Sequence, residues 1–348
     1  MEKKDLEIDI DNNIAHIAKE LIRGRVNFLF GAGMSIQSGG IPGTELAFKL
    51  ITRSFYQQFS EDELPKDIEE QIRNAAGLYP LEAIAAGVEE HIPFQETELT
   101  SMLKQVVFCG KDPQIHQGHK DMAVLVERLN SPRLLFTTNW DNLIEMALGR
   151  IAVTVTNMNF MNIDLDETLQ DNIAVAHING TFEQGPLIKE DDLMSIDKPL
   201  FSLFLAELMA KTFVFVGYSL SDPNIRSLYF RANKILTTQR IQMNKKTYVV
   251  YPCKDEVDRR IATATWSAPS RNAIHIPLAA DEFFKRLRDQ VENKAVVKRK
   301  HQIAERLKIQ DIKDLDAKID EIKSIFPDLG TTKQVLGYLD EITRGGNS

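Results

Sequence analysis

The chain has 348 residues, 43% of them hydrophobic and 26% charged, with a formal net charge of −8. This is the balance of a globular protein with a sizeable core, and its acidic excess speaks against a nucleic-acid coat protein or a cationic membrane-surface protein. Cys109 and Cys253 are its only cysteines, so neither a disulfide framework nor a four-thiolate zinc site is available.

No apolar run approaches the roughly 18 residues of a membrane span. The start, Met1-Glu2-Lys3-Lys4-Asp5, lacks the apolar segment of a signal peptide, so the expected compartment is the cytoplasm. Asn12 to Arg23 reads as an amphipathic helix with Ile14, Ile17, Ala18, Leu21 and Ile22 on one side and Asp11 as N-cap. Val26 to Phe30 is an apolar run of strand length that stops at Gly31-Ala32-Gly33-Met34-Ser35. Glycines there let the backbone turn sharply and bring its N–H groups close to a ligand, as in the phosphate turns of doubly wound α/β proteins. The spacing is not G-x-G-x-x-G, so it is not the dehydrogenase fingerprint.

From Thr44 to about Val107 the pattern is helical, broken at Leu64-Pro65, Tyr79-Pro80 and Ile92-Pro93. A further helix, Gln117 to Leu129, precedes a strand from Arg133 to Thr137. Strands are predicted at Ile151 to Val155, Ile173 to Ile178, Thr212 to Gly217, Thr247 to Tyr251 and Ala273 to Ile276, with helices at Trp140 to Leu148, Pro199 to Lys211 and Pro223 to Leu236. This alternation gives an α/β class with a Rossmann-like, doubly wound, mostly parallel sheet. The expected organisation is a domain over 1–290 with a helical insertion at about 44–130, then a small helical appendix over 291–348. Lys298-Arg299-Lys300-His301 reads as a solvated helix face.

Ligands bind beyond the carboxyl ends of strands in such a sheet, and the predicted strand ends are polar. The second stops at Thr137-Thr138-Asn139-Trp140-Asp141, the fourth at His177-Ile178-Asn179-Gly180-Thr181 and the fifth at Gly217-Tyr218-Ser219-Leu220-Ser221-Asp222-Pro223-Asn224. Each has an ordinary structural reading: Asn139 and Asp141 as helix caps, His177 as a hydrogen-bonded core histidine, Ser221-Asp222-Pro223 as an N-cap. Their convergence points to one polar pocket. No metal is expected: the seven histidines show no paired-ligand spacing, and nothing nearby completes a set with His116 and His119.

GAGMS with GGIP, then TTNWD, HING and GYSLSDPN, resembles the sirtuin-like family in that order, over about Asn27 to Asn224. The TTN-x-D and GYS-x-SDPN forms look more like the bacterial NAD-hydrolysing members of antiviral defence than like the protein deacylases. The deacylases' four-cysteine zinc module is absent, and Gly43-Thr44-Glu45 stands where they have D-F-R. In HING two residues separate His177 from the glycine, whereas aligning on the glycine puts Asn179 in the catalytic position.

The resemblance implies an NAD+ glycohydrolase that releases nicotinamide and ADP-ribose. Asn139 and His177 are the implied catalytic residues, Asn139 orienting water and His177 acting as base, with Asp141 supporting the Asn139 loop. Gly31, Ala32, Gly33, Met34 and Ser35 would hold the diphosphate, Thr138 and Asn139 a ribose, and Gly217, Ser219 and Asp222 the adenosine half. The implied partners are NAD, further copies of the chain, and an activator such as a HerA-like ATPase or translocase. No nucleic acid, membrane or metal is implied. The alternative is a weak or inactive sensor or assembly subunit that binds NAD or ADP-ribose. A deacylase is disfavoured by the missing cysteines.

Overall fold

A computed structural model describes residues 3–56, 58–59, 63–91, 96–186, 198–218, 222–238, 246–307, 309, 312–325 and 331–345. The chain divides into two compact units, Met1–Lys285 and Arg286–Ser348.

In the first unit, seven parallel strands form one sheet in the order β3-β4-β2-β1-β7-β8-β9. They are β1 Val26–Phe30, β2 Leu134–Thr137, β3 Ala152–Thr156, β4 Ile173–His177, β7 Thr212–Val216, β8 Thr247–Val250 and β9 Ala273–Ile276. The short β5 Gly180–Thr181 and β6 Gly185–Pro186 pair separately, antiparallel. β1, β4 and β7 are buried along their whole length, which is why they read as continuous apolar runs with no alternation. The chain builds outward from β1 on one side, then returns to β7 on the other. That reversal leaves a crevice at the strand ends.

Helices cover both faces. Leu29, Phe136 and Phe213 pack with Leu200, Phe201 and Phe204 of α9 (Pro199–Ala210) and with Ile225, Leu228 and Tyr229 of α10 (Pro223–Thr238). Phe204 meets Phe136 and Phe213 edge-on, each at 5.3 Å between centroids, a favoured aromatic geometry. Phe28 and Phe30 point to the opposite face, as period-two alternation requires, and both meet Phe284.

The helices α2 Gly43–Phe55, α3 Lys66–Leu78, α4 Leu81–His91 and α5 Glu96–Val107 enclose a core of their own around Leu46, Leu50, Ile72, Ile84, Val88, Leu103 and Val106. Trp140 and Phe182 from the strand ends pack against it. The break expected at Ile92-Pro93 lies outside the described residues.

Several boundaries differ from the sequence reading. The first helix, α1, runs from Lys3 to Ile22, so Asp11 lies inside it and is not its N-cap; Ile10 is buried one turn before Ile14 and extends the apolar face. The helix expected from Trp140 is α7, Leu143–Leu148. α6 Gln117–Leu129 keeps its expected span and α8 Leu165–Asp171 is additional, as is α11 Glu256–Ser267. α12, Ala280–Arg306, runs unbroken through residue 290. The expected domain boundary and the division at Lys285 both fall inside it. In the second unit, α13 Ile312–Ile325 and α14 Thr332–Gly345 share a small core of Ile303, Ala304, Leu315, Ile319, Val335 and Leu336.

Candidate active site

Strand register sets the level of the site. Phe30 stands opposite Thr137 and Val216, and Thr137 opposite His177. The loops that follow β1, β2, β4 and β7 therefore leave the sheet side by side. A cavity of about 540 Å³ lies there, lined by Ala32 and Ser35, by Thr138 to Asp141, by Asn179 and Phe182, and by Gly217, Tyr218 and Asp222. Gly40 to Thr44 at the start of α2 and Tyr79 to Glu82 at the α3–α4 junction add to the wall. This volume is in the ordinary range for small-molecule sites. The carboxylates of Glu82, Asp141 and Asp222 border it, and among the described residues the lining contains no lysine or arginine.

The glycine turn is packed from behind. Gly31 N–H donates to the Val216 carbonyl at 2.9 Å and Gly33 N–H to the Gly217 carbonyl at 2.8 Å. A Cβ on Gly33 would stand 2.6 Å from the Gly217 Cα. Gly217 has φ +63°, and a Cβ on it would lie 2.4 Å from the Met34 nitrogen. These glycines bring two strand ends into backbone contact. Met34 N–H donates to Gly31 O at 2.9 Å and Ser35 N–H to Ala32 O at 3.0 Å, so the amides of Gly33, Met34 and Ser35 are already engaged. Of the expected phosphate-binding residues, Ala32 and Ser35 line the cavity. Met34 is buried. Ser219 lies outside the described residues.

Three of the polar side chains form a chain of hydrogen bonds at the cavity. Asn139 Nδ2 donates to Ser35 Oγ at 2.9 Å and to the Gly31 carbonyl at 3.1 Å. Ser35 Oγ in turn donates to Asp141 Oδ2 at 2.8 Å. The Leu143 N–H, the first of α7, donates to Asp141 Oδ1 at 3.2 Å, so the carboxylate of Asp141, one residue before the N-cap Asn142, meets the start of the helix from outside it. Burial pushes the Asp141 pKa up, against the bonds from Ser35 and Leu143. The carboxamide nitrogen of Asn139 is thus spent inside the protein, leaving Oδ1 to accept from a ligand or water.

The histidine of HING is placed differently from its asparagine. His177 is fully buried and is not part of the cavity lining. Its Nδ1 is 2.9 Å from the Asn139 carbonyl oxygen and its Nε2 is 2.7 Å from Glu145 Oε1 on α7. Burial opposes its charge, but the hydrogen bond and charge of Glu145 outweigh that and raise its pKa. Glu145 responds inversely: burial works to raise it, and the bond from His177 brings it below the usual carboxylate value. Asn179 does line the cavity. Its Nδ2 donates to Asp222 Oδ2 at 3.1 Å, and its buried Oδ1 has no partner among the described residues. Asp222 Oδ1 accepts from the Asn224 and Ile225 amides and caps α10. Glu145 carries no motif. Only its four-residue spacing from Asp141 hinted that it returns to the same strand ends.

His116 stands just before α6 and pairs with Asp281. Burial lowers the His119 pKa to about 4. Among the described residues no group of three His, Cys, Asp or Glu gathers to hold a metal, and no helix is long and apolar enough to cross a membrane.

Residues 133–270 match the family model of the SIR2-like domain. The chain is similar to the NAD(+) hydrolase ThsA of Acinetobacter baumannii (strain 532279), 28% identical over 221 residues, which is 61% of this chain and 40% of that protein. It is similar also to Defense-associated sirtuin 2 of Bacillus subtilis, 25% identical over 240 residues, 65% of this chain and 21% of that protein. The chain thus matches less than half the length of these curated relatives. The matched stretch, which carries β2 to β8, makes residues 133–270 similar to a SIR2-like domain.

Proposed function

We propose that the cavity binds NAD+ and hydrolyses the bond between nicotinamide and ribose, in a role that depletes NAD+ during antiviral defence. The observation that carries this reading is the Asn139–Ser35–Asp141 chain of hydrogen bonds at the cavity, built from the ends of β1 and β2. The names of the two relatives support the activity and the setting.

Departure of nicotinamide leaves positive charge on the ribose, and a fixed carboxylate beside it lowers the barrier in a water-poor site. Asp141 supplies that charge, and Asn139 Oδ1 holds a water against the anomeric carbon. The glycosidic bond breaks with its electron pair passing to the nicotinamide nitrogen, water oxygen bonds to the sugar, and the water's proton passes to Asp141. A carboxylate made more basic by burial suits that last step. Thr138 and Ala32 contact the ribose and diphosphate, and Asp222 accepts from ribose hydroxyls. An unrestrained NAD hydrolase would empty its own cytoplasm, so activity is switched on by self-assembly or by an ATP-driven partner.

Purified protein incubated with NAD+ should release nicotinamide, and Asn139→Ala should lower that release by about 10²–10³-fold while leaving the fold unchanged. An unchanged rate in the variant overturns the assignment. A second reading, binding without turnover, is favoured by one observation: a carboxamide, Asn179, and not an imidazole, lies on the cavity wall. NAD+ binding by calorimetry with no nicotinamide released, alone or with candidate activators, selects that reading.

A further inference from the structure

We propose that Glu145 and His177 are a positioning pair, in which one imidazole grips both ends of the loop carrying Asn139 and Asp141 and accepts no proton from substrate or water. This rests on the reading that the loop is the reactive part of an NAD+-cleaving site.

The hydrogen-bond inventory of the ring gives the first step. A carbonyl oxygen only accepts, so the contact to Asn139 O requires a hydrogen on Nδ1. On the other side Glu145 Oε1 already accepts the Thr154 hydroxyl at 2.8 Å, and the Nε2 contact at 2.7 Å completes its shell as a second donor. An imidazole that donates from both nitrogens has no lone pair left to act as a base. Its burial adds a second bar, because no water or sugar reaches it.

The connectivity gives the role. Asn139 begins the connection from β2 to α7, and Glu145 lies in the first turn of that helix. His177, at the end of β4, binds the backbone of the first and the side chain of the second. Asp141 sits between them and is tied to Ser35. Thr154 of β3 anchors the carboxylate from the far side. The loop is thereby clamped over the end of the sheet, with Asn139 and Asp141 turned to the cavity. The other charged group acting on the ring is Asp141 itself, whose carboxylate also favours the imidazolium.

The experiment uses the full chain and two independent readouts. In protein labelled with ¹⁵N at histidine, NMR at neutral pH should show His177 protonated at both ring nitrogens, and Glu145→Gln should remove that signature. A single neutral tautomer in the parent overturns the proposal whether or not the protein turns over NAD+. In nicotinamide release, His177→Asn keeps a side-chain donor at the position of Nδ1 for the Asn139 carbonyl but has no basicity. It should retain kcat within about tenfold of the parent, whereas His177→Ala should lose about 10²-fold in kcat with little change in KM, the cost of a misplaced reacting group. Asparagine performing no better than alanine, with both variants melting like the parent, shows that the donor to the Asn139 carbonyl does not carry the role and sinks the proposal. If the parent releases no nicotinamide at all, the hydrolase reading fails alone; the same variants are then ranked by NAD+ dissociation constant, with asparagine expected near the parent and alanine at least tenfold weaker, and equal values for the two counting against the clamp.

Discussion

Gly33 and Gly217 meet with no side chain between them, so a methyl group on either must displace backbone. Gly33→Ala is expected to cost about 1–3 kcal/mol, measured by urea unfolding. Gly87→Ala on α4, where an added Cβ meets nothing within 4 Å, should instead stabilise by about 0.5–1 kcal/mol. The titrating residues set a pH window. Asp141 has a raised folded pKa through burial and, in the proposed hydrolysis, acts as the carboxylate. Nicotinamide release should therefore fall away on acidification above the usual carboxylate range, and a limb at the ordinary value would remove Asp141 from the chemistry. His177 has a folded pKa above its unfolded one, so its stabilisation is complete below the unfolded pKa and is lost as pH rises through the folded one. Glu145 has the opposite sign, its contribution holding above the unfolded value and fading as pH falls through the lowered one. The denaturation midpoint of the parent should accordingly decline on the alkaline side more than that of Glu145→Gln. At this scale the sequence displayed the residue types of the site but not their partners. Asn139, Asp141 and Asn179 were legible because each stands next to a predicted strand end. The difference between His177 and Asn179 was not, since alternation puts positions two apart on one face; Asn179 lies past the end of β4, and a carboxylate on another element holds His177 in the interior.

Elements were legible where burial imposes a period or a continuous run, and less so where capping or charge decides. The buried strands β1, β4 and β7 lie where the apolar runs placed them. α11 was missed because its sequence, Glu256 to Ser267, is rich in charge and threonine, with only Ala262 and Trp266 buried. Its start is set by Asp255, whose side chain accepts from the Asp258 N–H at 2.8 Å. Asp255→Ala should cost about 1 kcal/mol by thermal or chemical unfolding; a loss near zero would show that Trp266 alone holds the helix. The late start of α7 is the instructive case. Helix propensity continues back to Trp140, but Asp141 accepts the first helical amide from outside the helix and lines the cavity, and a local pattern cannot reveal a bond to Ser35 more than a hundred positions away.

For the molecule as a whole, the parallel class followed from alternation, while the order in which strands sit side by side did not. β1 lies between β2 and β7, so the order of growth reverses there. A ligand that occupies the cavity ties together loops from both halves of the sheet, so it should stabilise the first unit as one body. At about one hundred times its dissociation constant, NAD+ should add about 2.7 kcal/mol, read as a rise in melting temperature under conditions where turnover is slow. The cavity wall carries the carboxylates of Glu82, Asp141 and Asp222 without a lysine or arginine among its described residues, and for the proposed hydrolysis this favours what enters over what leaves. A dinucleotide arriving with a cationic pyridinium finds its positive end welcome. Once that ring departs, the remaining ADP-ribose is more anionic than what entered, and the same wall expels it. Discharge of the spent nucleotide is then fastest in dilute buffer and slows as added salt masks the repulsion, the reverse of a pocket that grips phosphate with cations.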